Sequence, residues 1–291
     1  MWQQKSYAED VEKGALYLVP TPIGNLEDMT FRSIRVLKEC DVIAAEDTRQ
    51  TKKLCHYYHI DTNIISYHEH NKNSSGRQIM KMIEEGKKVA LVSDAGMPTI
   101  SDPGSELVQL VLDHHYPVIP LPGANAALTA LIASGIAPQP FYFFGFLHHK
   151  KKEKKKQLEQ LKNKKETIIL YESPHRLVET LKDIHEFFGN RKIAVARELT
   201  KMYEEFVRGT VDELLDWAEN HEIKGEFCLI IEGSQENTPD DNKETWWSKW
   251  TIKEHVEHYI EKGYPSKEAI KLAALDRNLP KREVYQEYHL K

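Results

Sequence analysis

The sequence predicts two α/β domains followed by a small helical extension, and three observations lead to this fold class. Short apolar runs alternate with helical patterns as far as residue 121, which is typical of βαβ units. The runs 41–45 and 88–92 show no polar alternation, as expected for strands of a parallel sheet with both faces buried. A chain of 291 residues is also long enough to build two ordinary cores.

The first domain is predicted to hold a mostly parallel sheet. Its strands are expected at 15–20, 41–45, 63–67, 88–93 and 117–121, with helices near 30–39, 48–59, 74–85 and 103–115. Boundary residues favour these positions. Thr30 and Ser74 are expected N-caps, Pro103 suits a first turn, and Gly86 follows a helix end.

The second domain is predicted to hold a mixed sheet. An alanine-rich helix at 125–134, stopped by Gly135, leads into it. Strands are then expected at 141–146, 167–172, 191–198, 202–209 and 226–232, with helices near 151–163, 174–188 and 210–220. Too few residues separate 191–198 from 202–209 for a crossover helix, so these two strands should pair antiparallel.

The remaining residues are predicted to form a linker and a helical extension. The polar segment 234–245 is typical of a linker, and helical periodicity returns at 246–262, 266–276 and 281–291. Three short helices of this kind favour a unit of the helix-turn-helix type. The expected organisation is therefore two α/β subdomains at 14–122 and 123–233, the linker, and a helical unit at 246–291.

Composition limits the function further. The net charge of -5 excludes a generally basic surface, so a polyanion would have to be bound by a local patch such as 150–156. Cys40, Cys55 and Cys228 are scattered, with no CxxC pair, so we expect free thiols and no metal site. No apolar run reaches the roughly 18 residues that span a bilayer, and no signal peptide is evident, so a cytoplasmic protein is expected.

Three bent corners follow strands of the first domain: 20–26, 93–104 and 120–124. The carboxyl ends of the strands in a parallel sheet usually border the site of a small ligand. None of the motifs GxGxxG, GxxxxGK[ST] or HExxH is present, and proline removes backbone donors, which favours a ligand held by shape over a pyrophosphate. Asp94 is suited to accept from an amino group or a ribose hydroxyl, whereas Asp102 is expected to cap a turn.

The corner motifs, among them Leu121-Pro-Gly-Ala124, occur together with two others: Ala45-Glu-Asp-Thr-Arg49 and Tyr171-Glu-Ser-Pro-His-Arg176. In this combination and order the chain resembles the ribosomal RNA small subunit methyltransferase I family, the RNA-modifying branch of the tetrapyrrole methylase superfamily. The resemblance extends over about residues 14 to 233. It is therefore carried by both predicted α/β domains.

The resemblance implies a class III methyltransferase architecture, with S-adenosylmethionine bound between two α/β domains of a homodimer. It implies 2′-O-methylation of a cytidine in the decoding region of 16S ribosomal RNA, within the small subunit, with no role for DNA or a membrane. The cofactor-facing residues that it implies are Pro20, Ile23, Asp94, Ala95, Gly96, Pro98, Pro122, Gly123, Ala124, Tyr171 and Glu172.

Methylation of a ribose hydroxyl calls for a proton acceptor, because the hydroxyl is a weak nucleophile near neutral pH. The candidates are Glu46 and Asp47, at the end of the second strand, and Glu198, near the predicted hairpin. The alternative is that Glu46 with Arg49, or Arg197 with Glu198, form local ion pairs.

Phosphate contacts are predicted for a lysine block and for basic residues near the site motifs. The block is typical either of an RNA-binding patch or of a solvated helix face, and the aromatic residues of 141–146 are expected mainly in the core. The predicted RNA-contacting residues are Arg49, Lys150, Lys151, Lys152, Lys154, Lys155, Lys156, Arg176, Arg197 and Lys201.

Two alternative functions share parts of this pattern. A methylase acting on a small tetrapyrrole would have the same architecture, and a non-catalytic RNA-binding assembly factor would retain only the shape of the pocket. The lysine block and the carboxy-terminal helices favour an RNA substrate over the macrocycle.

Overall fold

A computed structural model describes residues 1–6, 13–235, 247, 250–277 and 279–289. The chain forms two compact units, residues 1–234 and 235–291. The predicted linker at 234–245 and the predicted helix start at Trp246 lie almost wholly outside the described residues, as does Asn278.

The first sheet is parallel throughout, in agreement with the prediction of a mostly parallel sheet. Its strands are β1 (Ala15–Leu18), β2 (Val42–Ala45), β3 (Asn63–Ser66), β4 (Lys88–Val92) and β5 (Val118–Pro120). Their spatial order is β3-β2-β4-β1-β5. The central strand β4 and its neighbour β2 are almost completely buried, because helices cover both faces of the sheet.

Four helices connect these strands: α1 (Phe31–Glu39), α2 (Thr48–Tyr57), α3 (Lys72–Glu84) and α4 (Ser105–Asp113). Thr30 caps α1 by accepting from Ser33 N, and Gly86 follows α3 in the left-handed region, both as predicted. Two boundary predictions are wrong. The residue at the N-cap of α3 is Asn71 rather than Ser74, because the helix begins at Lys72, and Pro103 precedes α4.

The second sheet is mixed. Its strands are β6 (Phe141–Phe146), β7 (Thr167–Glu172), β8 (Lys192–Arg197), β9 (Glu205–Thr210) and β10 (Phe227–Ile231). They are ordered β6-β7-β10-β8-β9, and only β6 and β7 pair parallel. The short β8–β9 connection does form an antiparallel hairpin, since no crossover helix fits between these strands.

Helices α5 (Ala126–Ser134), α6 (Lys151–Leu161), α7 (Leu177–Phe188) and α8 (Val211–Asn220) accompany this sheet. Helix α5 packs its alanine face on β7, β8 and β10 and ends at Gly135, whose φ is +80°. The core on the other face collects apolar side chains from α6, α7 and α8. The aromatic run of β6 is only partly in the core, because the strand lies at the sheet edge and leaves Phe141, Tyr142 and Phe146 exposed.

The described residues of the second unit form three helices: α9 (Ile252–Glu261), α10 (Ser266–Asp276) and α11 (Lys281–His289). Their common core is formed by small and β-branched side chains, with Val256, Ile270 and Val284 fully buried. Thr251 and Glu254 form a capping box that begins α9.

The three cysteines are free, as predicted, and all three are buried. Within the described residues, no helix is long and apolar enough to cross a membrane. The same residues contain no group of three or more His, Cys, Asp or Glu side chains placed to hold a metal ion.

Candidate active site

The three bent corners of the first domain lie together at the carboxyl edge of its sheet. Thr21 and Gly96 exchange backbone hydrogen bonds of 2.9 and 3.0 Å, which join the first corner to the second. The buried Thr21 hydroxyl also donates to the Ser93 carbonyl oxygen at 3.1 Å. The third corner approaches closely, because a Cβ added at Gly123 would lie only 2.5 Å from Pro20 Cβ.

Gly96 stands where the corners converge. Its φ of +77° favours glycine, and a Cβ placed there would lie 3.3 Å from Ile23 Cγ2 and 3.5 Å from the Ala124 carbonyl oxygen. The missing side chain therefore leaves room between the first corner and the third.

A pocket of about 520 Å³ opens from these corners toward the strand ends of the second sheet. This volume is within the range of roughly 300 to 1,000 Å³ that is typical of small-molecule sites. On the second side, Tyr171 forms edge contacts with Phe143 and Phe146, and its hydroxyl accepts from Ala127 N at 3.1 Å. Burial raises the pKa of Tyr171 to about 12, so the phenol stays protonated at neutral pH.

Six of the predicted cofactor-facing residues line this pocket: Ile23, Asp94, Ala95, Gly96, Tyr171 and Glu172. The other five support the corners without forming the wall: Pro20, Pro98, Pro122, Gly123 and Ala124. The wall also contains residues that were not predicted to face the cofactor: Met97, Ile100, Ser101, Asp102, Asn125, Ala126, Phe146, Ser173, Pro174, Ala196, Leu199, Glu226, Phe227 and Cys228. Met97, Ile100, Ser101 and Asp102 lie within the corner 93–104, and Ser173 and Pro174 lie within the motif 171–176.

The lining is acidic. Four carboxylates contribute to it (Asp94, Asp102, Glu172 and Glu226), and no Lys or Arg is present among the lining residues of the described chain. Asp94 is held in place because its Oδ1 accepts from Asp47 N at 3.0 Å. A pocket of this sign favours a ligand that carries positive charge.

Known proteins resemble this chain along nearly its whole length. Residues 15–215 match the family model of the tetrapyrrole (corrin/porphyrin) methylases. Ribosomal RNA small subunit methyltransferase I of Bacillus subtilis (strain 168) is 64% identical over 289 residues, which cover 99% of each chain. The chain belongs to this methyltransferase family.

Two further comparisons agree with this membership. The protein of the same name from Halalkalibacterium halodurans is 56% identical over 99% of each chain. The crystal structure of a cobalt precorrin-4 methyltransferase from cobalamin biosynthesis superimposes with a TM-score of 0.59 at 18% identity, covering 76% of this chain and 96% of that one. The latter shows the class III fold. The protein is therefore an S-adenosylmethionine-dependent methyltransferase, which sets aside a purely non-catalytic role.

Two of the carboxylates predicted as proton acceptors of the methyltransferase are engaged elsewhere. Asp47 caps α2, and the hydrogen bonds from the Arg49 side chain and backbone lower the pKa of Asp47 to about 2. Glu198 accepts from Lys201 Nζ at 3.0 Å and from Glu226 N at 2.9 Å. Burial opposes these bonds, but they outweigh it and hold the pKa of Glu198 below its ordinary value. Neither carboxylate is suited to take up a proton near neutral pH.

Glu46 and Asp102 have the opposite character. Burial raises the pKa of Glu46, and the Asp94 and Asp47 carboxylates add to this effect, whereas His68 opposes it. Burial and the charges of Glu46 and Asp94 together raise the pKa of Asp102 to about 7. The predicted turn cap at Asp102 is wrong, since this side chain makes no hydrogen bond or ion pair with any described residue.

One residue of the lysine block does not belong to the surface. Lys154 is 2% exposed, and its Nζ lies 2.6 Å from Asp183 Oδ2 and 3.7 Å from Glu179 Oε1 on α7. The prediction that Lys154 contacts RNA is therefore wrong, because an ammonium buried against another helix of its own chain cannot reach a phosphate.

The remaining basic residues divide into two groups. Arg49, Lys150, Lys151, Lys152 and Lys156 are exposed, and of these Arg49 forms an ion pair with Asp47 at 2.9 Å. The others take part in ion pairs within the chain: Lys155 with Glu186, Arg176 with Glu172, Arg197 with Glu205, and Lys201 with Glu198 and Glu226. Arg176 also donates to the Leu147 and His148 carbonyls, which fixes it beside the pocket wall.

Proposed function

We propose that the chain transfers the methyl group of S-adenosylmethionine to the ribose 2′-oxygen of a cytidine in the decoding region of 16S ribosomal RNA. The observation that most supports this substrate is the 64% identity, over 99% of both chains, with a relative named ribosomal RNA small subunit methyltransferase I. The motifs quoted from the sequence support the same reaction.

The pocket fits the proposed cofactor. S-adenosylmethionine carries a positive sulfonium and ammonium, and the four acidic lining residues match this charge. Asp94, already oriented by Asp47 N, is placed to accept from a hydroxyl or amino group, and the backbone of Ala95 and Gly96 allows close approach. The rings of Tyr171 and Phe146 provide an apolar surface for a base.

The chain's own task in the reaction is alignment and proton removal. The bound cofactor supplies an electrophilic methyl group and leaves as a neutral thioether, so no general acid is needed. The walls must hold the attacking oxygen in line with the reacting bond, which accounts for much of the acceleration in such reactions. Water is restricted by the apolar side chains of Ile23, Leu199 and Phe227 around the pocket.

The exposed lysines of α6 are proposed to bind RNA phosphates. Lys151, Lys152 and Lys156 form no ion pair with the described residues. The first two lie in the first turn of α6, where the helix dipole is already positive. Lysine charges at that end destabilise the helix by repulsion from its dipole, so a bound phosphate would offset this repulsion.

Replacement of Lys151, Lys152 and Lys156 together by Gln should weaken RNA binding and reduce its salt dependence. If each lysine neutralises one phosphate, the slope of log K against log salt falls by roughly 2 to 3. Affinity for small ribosomal subunits should be measured between low and moderate salt. Lys38, Lys52 and Lys81 are also exposed, and their triple Gln variant provides the control with the same charge change. Equal slopes for both triple variants would remove α6 from the RNA surface.

The reaction itself is tested by incorporation of labelled methyl from S-adenosylmethionine into small ribosomal subunits that lack the modification. Nucleoside analysis should recover the label as 2′-O-methylcytidine. Label in a base, or in a tetrapyrrole but not in RNA, would overturn the proposal.

We also propose that the protein is a cytoplasmic homodimer. Leu128 and Ile132 are 47% and 80% exposed and stand one turn apart on α5, which leaves an apolar face suited to a second copy. Light scattering should give twice the mass of a single chain. The mass of one chain at micromolar concentration would overturn the dimer.

A further inference from the structure

Asp102 is a half-buried carboxylate of the pocket wall that the chain does not use for its own structure. It follows Ser101, whose φ is +63°, in the same connection as Thr99 at +75°, so the backbone is held in an unfavourable conformation on the approach to this residue. Strain of this kind persists only where the surrounding structure imposes it, and it is common at active sites. Pro103 restricts the chain on the other side.

The connection that carries Asp102 reaches across to the second domain. Ser101 Oγ lies 3.1 Å from the position that a Cβ on Gly145 would occupy, so this segment packs against β6. Asp102 is near enough to Tyr171 for its charge to raise the pKa of that phenol. The carboxylate therefore faces Glu46 and Asp94 of the first domain and Tyr171 of the second.

We propose that Asp102 accepts the proton of the attacking ribose hydroxyl, an inference that rests on the proposed function. In this step the hydroxyl oxygen forms a bond to the methyl carbon while the carbon–sulfur bond breaks. The electron pair of the broken carbon–sulfur bond stays on sulfur. The hydroxyl proton moves to the Asp102 carboxylate, which later releases it to water. Glu46 and Asp94 are the charged neighbours that increase the basicity of Asp102.

The electrostatic environment supports this role. A general base is most effective when its pKa is near the working pH, and the pKa of Asp102, at about 7, satisfies this condition. Asp47 and Glu198 do not satisfy it, because their partners lower the pKa of each. Glu46 shares the raised pKa but is absent from the pocket wall.

Asp102→Asn should slow single-turnover methylation of small subunits by about 10²- to 10⁴-fold, the usual contribution of a general base. In the wild type the rate should rise about tenfold per pH unit below pH 7 and level off above it, and the Asn variant should lack this rise. Asp102→Glu, which keeps a carboxylate, should show an intermediate rate and retain the rise. A variant Asp102→Asn with the wild-type rate or pH profile would overturn the assignment.

Two measurements do not depend on activity. Calorimetry should show that Asp102→Asn weakens the binding of S-adenosylmethionine by less than about tenfold, because the three other acidic residues of the lining still supply negative charge. Thermal unfolding should give a higher Tm for the Asn variant than for the wild type at pH 8, and equal values near pH 4. The sign follows from the raised pKa of Asp102. The unfolded chain releases the Asp102 proton near the ordinary pKa of an aspartate, whereas the folded protein keeps it up to about pH 7, so the folded state loses stability between these two pH values. Asn has no proton to release and avoids this loss. Equal Tm values at pH 8 would overturn the environment on which the proposal depends.

Asp113→Asn is the matched control, since this exposed residue, the last of α4, undergoes the same chemical change. It should leave the rate, the pH profile and the pH dependence of Tm unaltered. The outcomes also separate the two levels of inference. A wild-type protein that methylates no RNA contradicts the proposed function, whereas an active Asp102→Asn variant contradicts the role of Asp102 alone.

Discussion

Lys154→Met should destabilise the protein by about 3 to 5 kcal/mol, the usual cost of removing one partner from a buried ion pair. The side chains of Lys154 and Asp183 are only 3% and 7% exposed, so the variant leaves the Asp183 carboxylate without its cation in a site that water barely reaches. Urea unfolding at pH 7 measures the loss as a fall in the midpoint at constant slope.

Lys152→Met is the matched control for this experiment. It removes the same charge from the same helix at an exposed position, and the free energy of unfolding should change by no more than about 0.5 kcal/mol. Replacing both partners, as Lys154→Met with Asp183→Leu, should recover much of the lost stability, because no unpaired charge remains. Equal losses for Lys152→Met and Lys154→Met would contradict the buried pair.

Gly96→Ala should lower the affinity for S-adenosylmethionine by about 10- to 100-fold, which corresponds to about 1.4 to 2.7 kcal/mol. Two effects combine here. First, the new Cβ enters the space between Ile23 and Ala124 and lies 3.3 Å from Ile23 Cγ2. Second, alanine at a φ of +77° strains the backbone of the corner by about 1 to 2 kcal/mol. Calorimetry on the cofactor-free protein measures the change.

Gly135→Ala separates these two effects. Gly135 has a φ of +80°, but a Cβ there would meet nothing within 4 Å, so this variant carries the same backbone strain without a steric contact in the pocket. We expect a similar loss of stability and an unchanged cofactor affinity. If both variants bound S-adenosylmethionine as tightly as the wild type, the cofactor would not occupy the space beside Gly96.

Local signals predicted the elements well, because caps and strand patterns depend on neighbours in the chain. Thr30 and Gly135 act as predicted, since an N-cap bond and a left-handed C-cap involve only residues of the same turn. The prediction of Ser74 as the N-cap failed because the whole stretch 68–75 is polar and offers several equivalent starting points for α3, and Asn71 is the one that also bonds to Ser66. Sequence alone does not rank such candidates.

The candidate site was only partly accessible from the sequence. The proximity of the corners at 20–26, 93–104 and 120–124 could be predicted, because parallel strands place their carboxyl ends at one edge of the sheet. The second side of the pocket was mostly missed. Ala196, Leu199 and Phe227 are ordinary core-type residues with no motif of their own, and they line the pocket only because β8 and β10 end beside it.

Taken by itself, the sequence determined the order of strands and helices, the three corners and the membership in a methyltransferase family, since each depends on short-range patterns along the chain. The tertiary structure decided how side chains of the same type, at similar positions in the sequence, differ in role. Lys154 and Lys152 are two residues apart in one block, yet only the first is enclosed by α7. Asp47 and Asp102 both follow strands of the first sheet, yet the pKa is lowered to about 2 in the first and raised to about 7 in the second. Burial and the sign of neighbouring charges cause these differences, and both arise from segments that are distant in the sequence.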